Sequence, residues 1–203
     1  APIENAPKIG VEISDLGLEG APKAMLDYYG DCKTIAEVAK KAAAMPGADF
    51  VCLRFDGAEP GEGERTVEDC VKIAKEVAAA IDIPLVIAGC KNSQKDAQIF
   101  EKVAEALTGR NVLFLSAKEE NHKTVGASVG LAYSQEVGAE SSVDINLAKQ
   151  LNVLLTQLGV AKENIIMNLG SAAAGYGFEY VASTIERVKL AALAQGDAML
   201  QMP

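Results

Sequence analysis

Two pairs of polar residues stand two positions apart just past short apolar runs: Arg54 with Asp56, after Val51-Cys52-Leu53, and Asp144 with Asn146, after Val137-Gly138-Ala139. Asn92, Ser116, Asn121 and Asn168 follow other apolar runs, and Tyr176 lies in a small-residue loop after the last of them. Glu12, Asp15 and His122 share the same placement. Amides, hydroxyls and one guanidinium near a carboxylate suit hydrogen bonding and ion pairing. No Ser/His/Asp set, no metal-ligand cluster and no lysine in an obviously desolvated pocket stands among them. His122, the single histidine, is the first candidate for acid–base work at neutral pH. It follows Glu119-Glu120-Asn121 at a helix start, so solvent exposure is expected instead. Arg54 and Asp56 face one side of an extended segment and are expected to pair, with a ligand contact from Arg54 as the sharper alternative. Asp144 is expected to serve its own helix as a first-turn carboxylate. Asn146 has no such duty and is free to donate to a ligand.

The elements that must position these residues follow one pattern, clearest at Glu136–Leu151. There a short apolar run meets the polar turn Ser141-Ser142, and a one-faced helix begins. Either serine is expected to cap it, with Leu147, Leu151, Leu154 and Leu158 on the buried face. Strands are expected at residues 9–13, 50–53, 84–88, 112–115, 136–139 and 165–167. After the first comes a Gly/Pro-punctuated excursion, residues 14–30. Thr34 with Glu37 and Thr66 with Asp69 read as capping pairs, and Ser93 with Asp96 as a third. The buried faces expected are Ile35, Val38, Ala39 and Ala42; then Val67, Val71, Ala74, Ala78 and Ile81; then Phe100, Val103 and Leu107. A poorer helix is expected near residues 121–131, and a last one buries Val181, Ile185, Val188 and Ala192. Leu200-Gln201-Met202 reads as the opening of a seventh strand. Six βα units make a parallel α/β protein whose polar turns lie at the carboxyl ends of the strands, where such folds place their chemistry. The pattern leaves an open sheet and part of a (β/α)8 barrel equally open. Neither G-x-G-x-x-G nor a P-loop occurs, which disfavours a nucleotide-binding open sheet.

The bulk numbers bound the function. With 203 residues, 49% of them hydrophobic and 23% charged, the chain suits one globular domain over residues 1–203. The net charge of −9 argues against nucleic acid as a partner. No apolar run is long enough to span a membrane, residues 1–8 read as a lead-in, and no export leader is evident. Cys32, Cys52, Cys70 and Cys90 lie about twenty residues apart, without the spacing of a zinc or iron–sulfur site. They are expected as packed thiols in a reducing, cytoplasmic setting.

Several strings are more specific than α/β packing requires. They are Val51-Cys52-Leu53-Arg54-Phe55-Asp56-Gly57, Pro84 to Cys90, Asn121-His122-Lys123-Thr124, and Val143-Asp144-Ile145-Asn146-Leu147-Ala148-Lys149-Gln150-Leu151-Asn152. Gly175-Tyr176-Gly177-Phe178-Glu179-Tyr180, Glu186-Arg187 and Gly196 to Gln201 complete the set. Together they resemble the small (delta) subunit of the corrinoid iron–sulfur protein of the CO dehydrogenase/acetyl-CoA synthase system, from about Ile9 onward. The resemblance implies a TIM-type (β/α)8 barrel related to pterin-binding methyltransferase barrels, with six of the eight units in this chain. It implies a cytoplasmic, non-catalytic barrel subunit of the acetyl-CoA (Wood–Ljungdahl) pathway, with no iron–sulfur cluster of its own. A large subunit carries that cluster and the cobamide, and this barrel helps enclose the cobamide. The methyl group passes from a methyl-pterin methyltransferase to acetyl-CoA synthase, both transient partners. Cofactor contacts are then expected from Arg54, Asp56, Asn92, Ser116, Asn121, Asp144, Asn146, Asn168 and Tyr176, and close backbone approach from the loop Gly170–Gly177. A stand-alone pterin-binding methyltransferase barrel is the alternative. An Asp-Pro pair is expected after strand six, where this chain has Asn168-Leu169.

Overall fold

The computed structural model describes residues 6–61 and 63–203. Of the lead-in expected over residues 1–8, the first five lie outside the described residues, as does Glu62 in the loop running to Arg65. The chain divides into two compact halves, residues 1–112 and 113–203.

In the first half β1 (Gly10–Ser14), β2 (Phe50–Arg54) and β3 (Leu85–Ala88) pair in parallel and in chain order. Helices α1 (Lys23–Tyr29) and α2 (Ile35–Ala43) lie between β1 and β2, α3 (Val67–Ala80) precedes β3, and α4 (Ser93–Ala106) follows it. Val51, Cys52 and Leu53 are buried in succession, as in a strand covered on both faces. The second half repeats the arrangement with β4 (Val112–Ala117), β5 (Glu136–Glu140) and β6 (Ile165–Asn168), again parallel and in chain order. Here α5 (His122–Val125) continues as a π-helical segment, Gly126–Ala132, before α6 (Ile145–Leu158) and α7 (Phe178–Ala194). The protein is an α/β fold of six parallel strands alternating with helices.

Local chemistry explains where the helices start. Thr34 with Glu37 and Thr66 with Asp69 form complete capping boxes. At α4 the cap is Asn92, one residue before the expected Ser93, accepting from the Lys95 amide at 3.1 Å. Asp96 is buried and accepts the Cys90 amide at 2.6 Å. At α6 the cap is Asp144, not either serine, because it accepts from the amides of Asn146 (2.8 Å) and Leu147 (3.1 Å). Gly159 ends α6 in the left-handed conformation that favours glycine.

The buried stripes of three helices differ from the expected ones, in two of them because a polar residue enters the core. In α6 the stripe is Ala148, Leu151, Asn152 and Leu155, with Leu147, Leu154 and Leu158 only partly covered. Asn152 belongs there because its amide donates to the Met199 carbonyl at 2.8 Å. In α7, Thr184 takes the place expected of Ile185. In α3, Cys70 and Val77 join Ala74 and Ala78, while Val67 and Val71 stay half-buried. Residues 14–30 contain α1, and residues 198–200 form a short 3-10 turn instead of a seventh strand. Beyond that turn the Pro203 carbonyl accepts from the Met167 amide of β6 at 2.8 Å.

Arg110, between α4 and β4, donates to the carbonyls of Ala78, Ile81 (3.0 Å) and Ile83 (3.3 Å) and so closes the passage from α3 to β3. No helix among the described residues is long and apolar enough to cross a membrane. All four cysteines are free thiols, three of them buried. Burial pushes Cys52 and Cys70 up to about 12 and Cys90 to about 11. Ellman's reagent at pH 8 is therefore expected to titrate only the half-exposed Cys32 in the folded protein, and the other three only in denaturant. Rapid reaction of two or more thiols without denaturant would contradict this packing.

Candidate functional site

Each half gathers polar groups at the carboxyl ends of its strands. In the first half, register sets Ser14 beside Arg54. Ser14 donates to Asp56 (2.6 Å), and the Arg54 guanidinium reaches Asp56 and Glu12, both at 2.7 Å. Two of the three expected site residues of this half, Arg54 and Asp56, thus hold each other, with Glu12 and Ser14 as further partners. Asp15 points elsewhere, fully buried, accepting the Gly57 amide at 2.8 Å and pairing with Arg65 Nε at 2.8 Å. Arg65 also donates to the Asp15 carbonyl, so the loop after β2 is fastened to the end of β1. Asn92 stands apart from this cluster, its side chain committed to the start of α4.

In the second half, β5 and β6 end level, with Glu140 opposite Asn168. A register shift between Leu115 and Ala117 leaves Ser116 as an extra residue in β4, a bulge of the kind that re-aims a side chain. Asn168 donates to the Ser116 hydroxyl at 3.1 Å and accepts the Gly170 amide at 3.1 Å. Beside these residues opens a cavity of about 410 Å³ lined by Glu140, Ser142, Val143, Asn168, Gly170 and Ser171. Lys118 lies 3.6 Å from Glu140 and partly balances its charge. Asn121 is buried and accepts the Lys118 amide at 2.7 Å, which fixes the turn after β4.

Of the expected residues in this half, Asn168 lines the cavity and is bonded from behind to the buried Ser116, while Asn121 and Asp144 secure turns of their own. Asn146 is exposed on the first turn of α6, and Tyr176 is exposed on the loop before α7, 86% accessible. His122 is buried, contrary to the expected exposure, because its Nδ1 lies 2.8 Å from the Glu119 carbonyl at the helix start. Sequence reasoning missed Glu140, Ser142 and Val143. Extending the fifth strand by one residue past Ala139 would have found Glu140. Among the described residues no group of three or more His, Cys, Asp or Glu could hold a metal ion. The cavity wall thus offers seryl, amide and carboxylate residues, a set able to donate and accept hydrogen bonds.

Parallel strands alternating with helices, with polar residues at the carboxyl ends of the strands in each half, define the chain as an α/β protein. Residues 1–203 match the family described as CO dehydrogenase/acetyl-CoA synthase delta subunit, and the chain belongs to that family. The acetyl-CoA decarbonylase/synthase complex subunit delta of Methanothermobacter thermautotrophicus is 32% identical over 203 residues, covering all of this chain and 52% of the relative. Subunit delta 1 of Methanosarcina thermophila is 32% identical over 205 residues, covering all of this chain and 47% of its own. The Methanocaldococcus jannaschii subunit delta is 30% identical, with 50% of its length covered. The chain spans about half the length of the curated relatives it matches.

Two outcomes test these assignments. Asp144→Ala is expected to lose about 1 kcal/mol of stability in urea melts, whereas Asp144→Asn stays close to the parent because asparagine caps as well as aspartate. Equal losses from both would mean that the carboxylate has a duty beyond capping. The second concerns Asp15, which burial pushes above the ordinary carboxylate range against the pull of the Gly57 amide and Arg65. A folded value above the unfolded one favours the protonated folded form, so the stability it brings is present at low pH and lost as pH rises through the folded value. Arg65→Met removes the cation beside Asp15 and is expected to cost on the order of 2 kcal/mol at pH 7. That deficit should shrink toward pH 4 as Asp15 takes up a proton, and a deficit independent of pH would refute the pairing.

Proposed function

We propose that this chain is the barrel part of a corrinoid iron–sulfur protein subunit that helps enclose a cobamide carried mainly by a large subunit. The process served is methyl transfer from a methyl-pterin to acetyl-CoA synthase in the acetyl-CoA pathway. The large subunit is the standing partner, the methyl-pterin methyltransferase and acetyl-CoA synthase are transient ones, and the setting is cytoplasmic. Family membership supports this reading. The observation that carries it is the strand-end cavity of the second half. Its lining of Ser142, Asn168, Ser171 and Glu140 matches the amide side chains at a corrin's rim, and about 410 Å³ accepts one edge of so large a macrocycle, not the whole. Partial enclosure is what such a volume allows.

On this reading Asn168 and the hydroxyls of Ser142 and Ser171 orient the corrin edge, and Glu140 receives a donor from it. The cobalt supplies the methyl-carrying chemistry when the cofactor is bound. The chain contributes orientation and exclusion of water, and Lys118 holds the Glu140 carboxylate in place. We further propose that the six βα units are successive members of a (β/α)8-type barrel. Chain-order pairing within each half supports this, as does the Pro203–Met167 contact, which brings the chain back alongside β6 after α7.

The test is to mix this chain with a corrinoid-bearing large subunit from the same organism and follow co-elution by the corrinoid absorbance. Co-elution, weakened by Asn168→Ala, is the expected result. Failure to associate at micromolar concentrations would overturn the proposal. Binding of a methyl-pterin by the chain alone, with transfer to free cobalamin, would favour a stand-alone methyltransferase barrel instead.

A further inference from the structure

Ser142 and Val143 both adopt left-handed backbone conformations, with φ of 48° and 68°. Such angles are uncommon outside glycine and rarer still for a β-branched residue, so two in succession persist only where the surroundings hold them. Both residues line the cavity of about 410 Å³. The supports can be named. The Ser141 amide donates to the Asn168 carbonyl (3.0 Å), the Val143 amide to the Leu169 carbonyl (2.8 Å), and the Asp144 amide back to the Ser141 carbonyl (3.1 Å). Gly170, itself at φ 84°, gives the turn a flat floor: a side-chain carbon there would lie 3.5 Å from Ser142 Cα and from Val143 Cγ2.

One further support comes from a different element. Thr184 on α7 is only 4% exposed and occupies the stripe otherwise formed by Val181, Val188 and Ala192. An apolar residue would pack there without needing a partner, whereas a buried hydroxyl needs one. Helical threonines commonly turn the hydroxyl to the carbonyl one turn back. Thr184 instead donates to the Val143 carbonyl at 3.3 Å, across 41 residues of sequence.

We propose that Thr184 is a positioning residue: from behind, it holds the left-handed Ser142–Val143 turn in the form that presents the Ser142 hydroxyl and the Val143 side chain to the cavity. Its role in binding rests on the reading above, in which this cavity receives an edge of the corrinoid. Its role in holding the turn does not. Without the Thr184 hydroxyl the Val143 carbonyl loses a buried donor, and the turn can relax toward ordinary backbone angles that carry Ser142 away from the cavity.

The experiment compares Thr184→Val, nearly identical in shape, Thr184→Ser, which keeps the hydroxyl, and Val143→Gly, which relieves the backbone. Amide hydrogen exchange is read at residues 141–147 of the isolated chain, and association with the corrinoid-bearing large subunit is measured in parallel. Thr184→Val is expected to speed exchange of the Ser141 and Val143 amides about tenfold, leave the strands unchanged, and weaken association severalfold. Thr184→Ser should restore both readouts. Val143→Gly should melt no lower than the parent yet exchange faster at the turn and associate more weakly, as expected if strain is kept for binding. Parent-like exchange in Thr184→Val would overturn the positioning role whatever the partner does. Faster exchange with parent-like association would overturn its link to binding. If the parent itself fails to bind the large subunit, the functional reading falls, and exchange alone still decides whether Thr184 holds the turn.

Discussion

Every strand of a parallel sheet ends in backbone amides that no neighbour can take up once the chain turns toward a helix, and this protein satisfies them with short carboxyl and amide side chains. Asp15 accepts the Gly57 amide, Asp96 that of Cys90, Asn121 that of Lys118, and Asn168 that of Gly170. Asp144 takes two amides at the start of α6. The residues that look most like ligand-binding groups are thus largely occupied in fixing the turns on which they sit. What such turns then offer outward is a smaller set: one carboxylate, two hydroxyls and the remaining capacity of Asn168 around the cavity of the second half.

The two halves use this rule to different ends. In the first, the strand-end charges neutralise one another, with Glu12 and Asp56 flanking Arg54 and Asp15 turned inward onto Arg65. Those contacts tie loops down and leave little charge uncommitted. In the second, Lys118 stands 3.6 Å from Glu140, a looser contact than the 2.7 Å pairs of the first half. Ser142 and Ser171 there line an open cavity.

Much of this was legible from residues alone wherever the cause is local. The capping boxes at Thr34 and Thr66 need only four consecutive residues, and they form as the spacing predicts. The Arg54–Asp56 pair likewise follows from two-residue periodicity in an extended segment. Legibility fails where a distant partner decides. Asn152 and Thr184 sit in core stripes because of the carbonyls of Met199 and Val143, and no helical period can show that. His122 differs from these, being buried in a segment whose charges suggest solvent while its ring lies 2.8 Å from the Glu119 carbonyl only three residues back. Ser141 and Ser142 carry the composition of a helix cap, but the backbone turns late and hands that role to Asp144. Strand order within each half does follow from the alternation of elements.

Arg110 carries a different implication. Its planar fork reaches three carbonyls between Ala78 and Ile83, and α3 has no basic residue in its own last turn. The cation that complements that helix end is therefore borrowed from the connection after α4. Fraying of α3 and loosening of the approach to β4 become a single cooperative opening, and lysine, with one compact ammonium, cannot keep the two events joined.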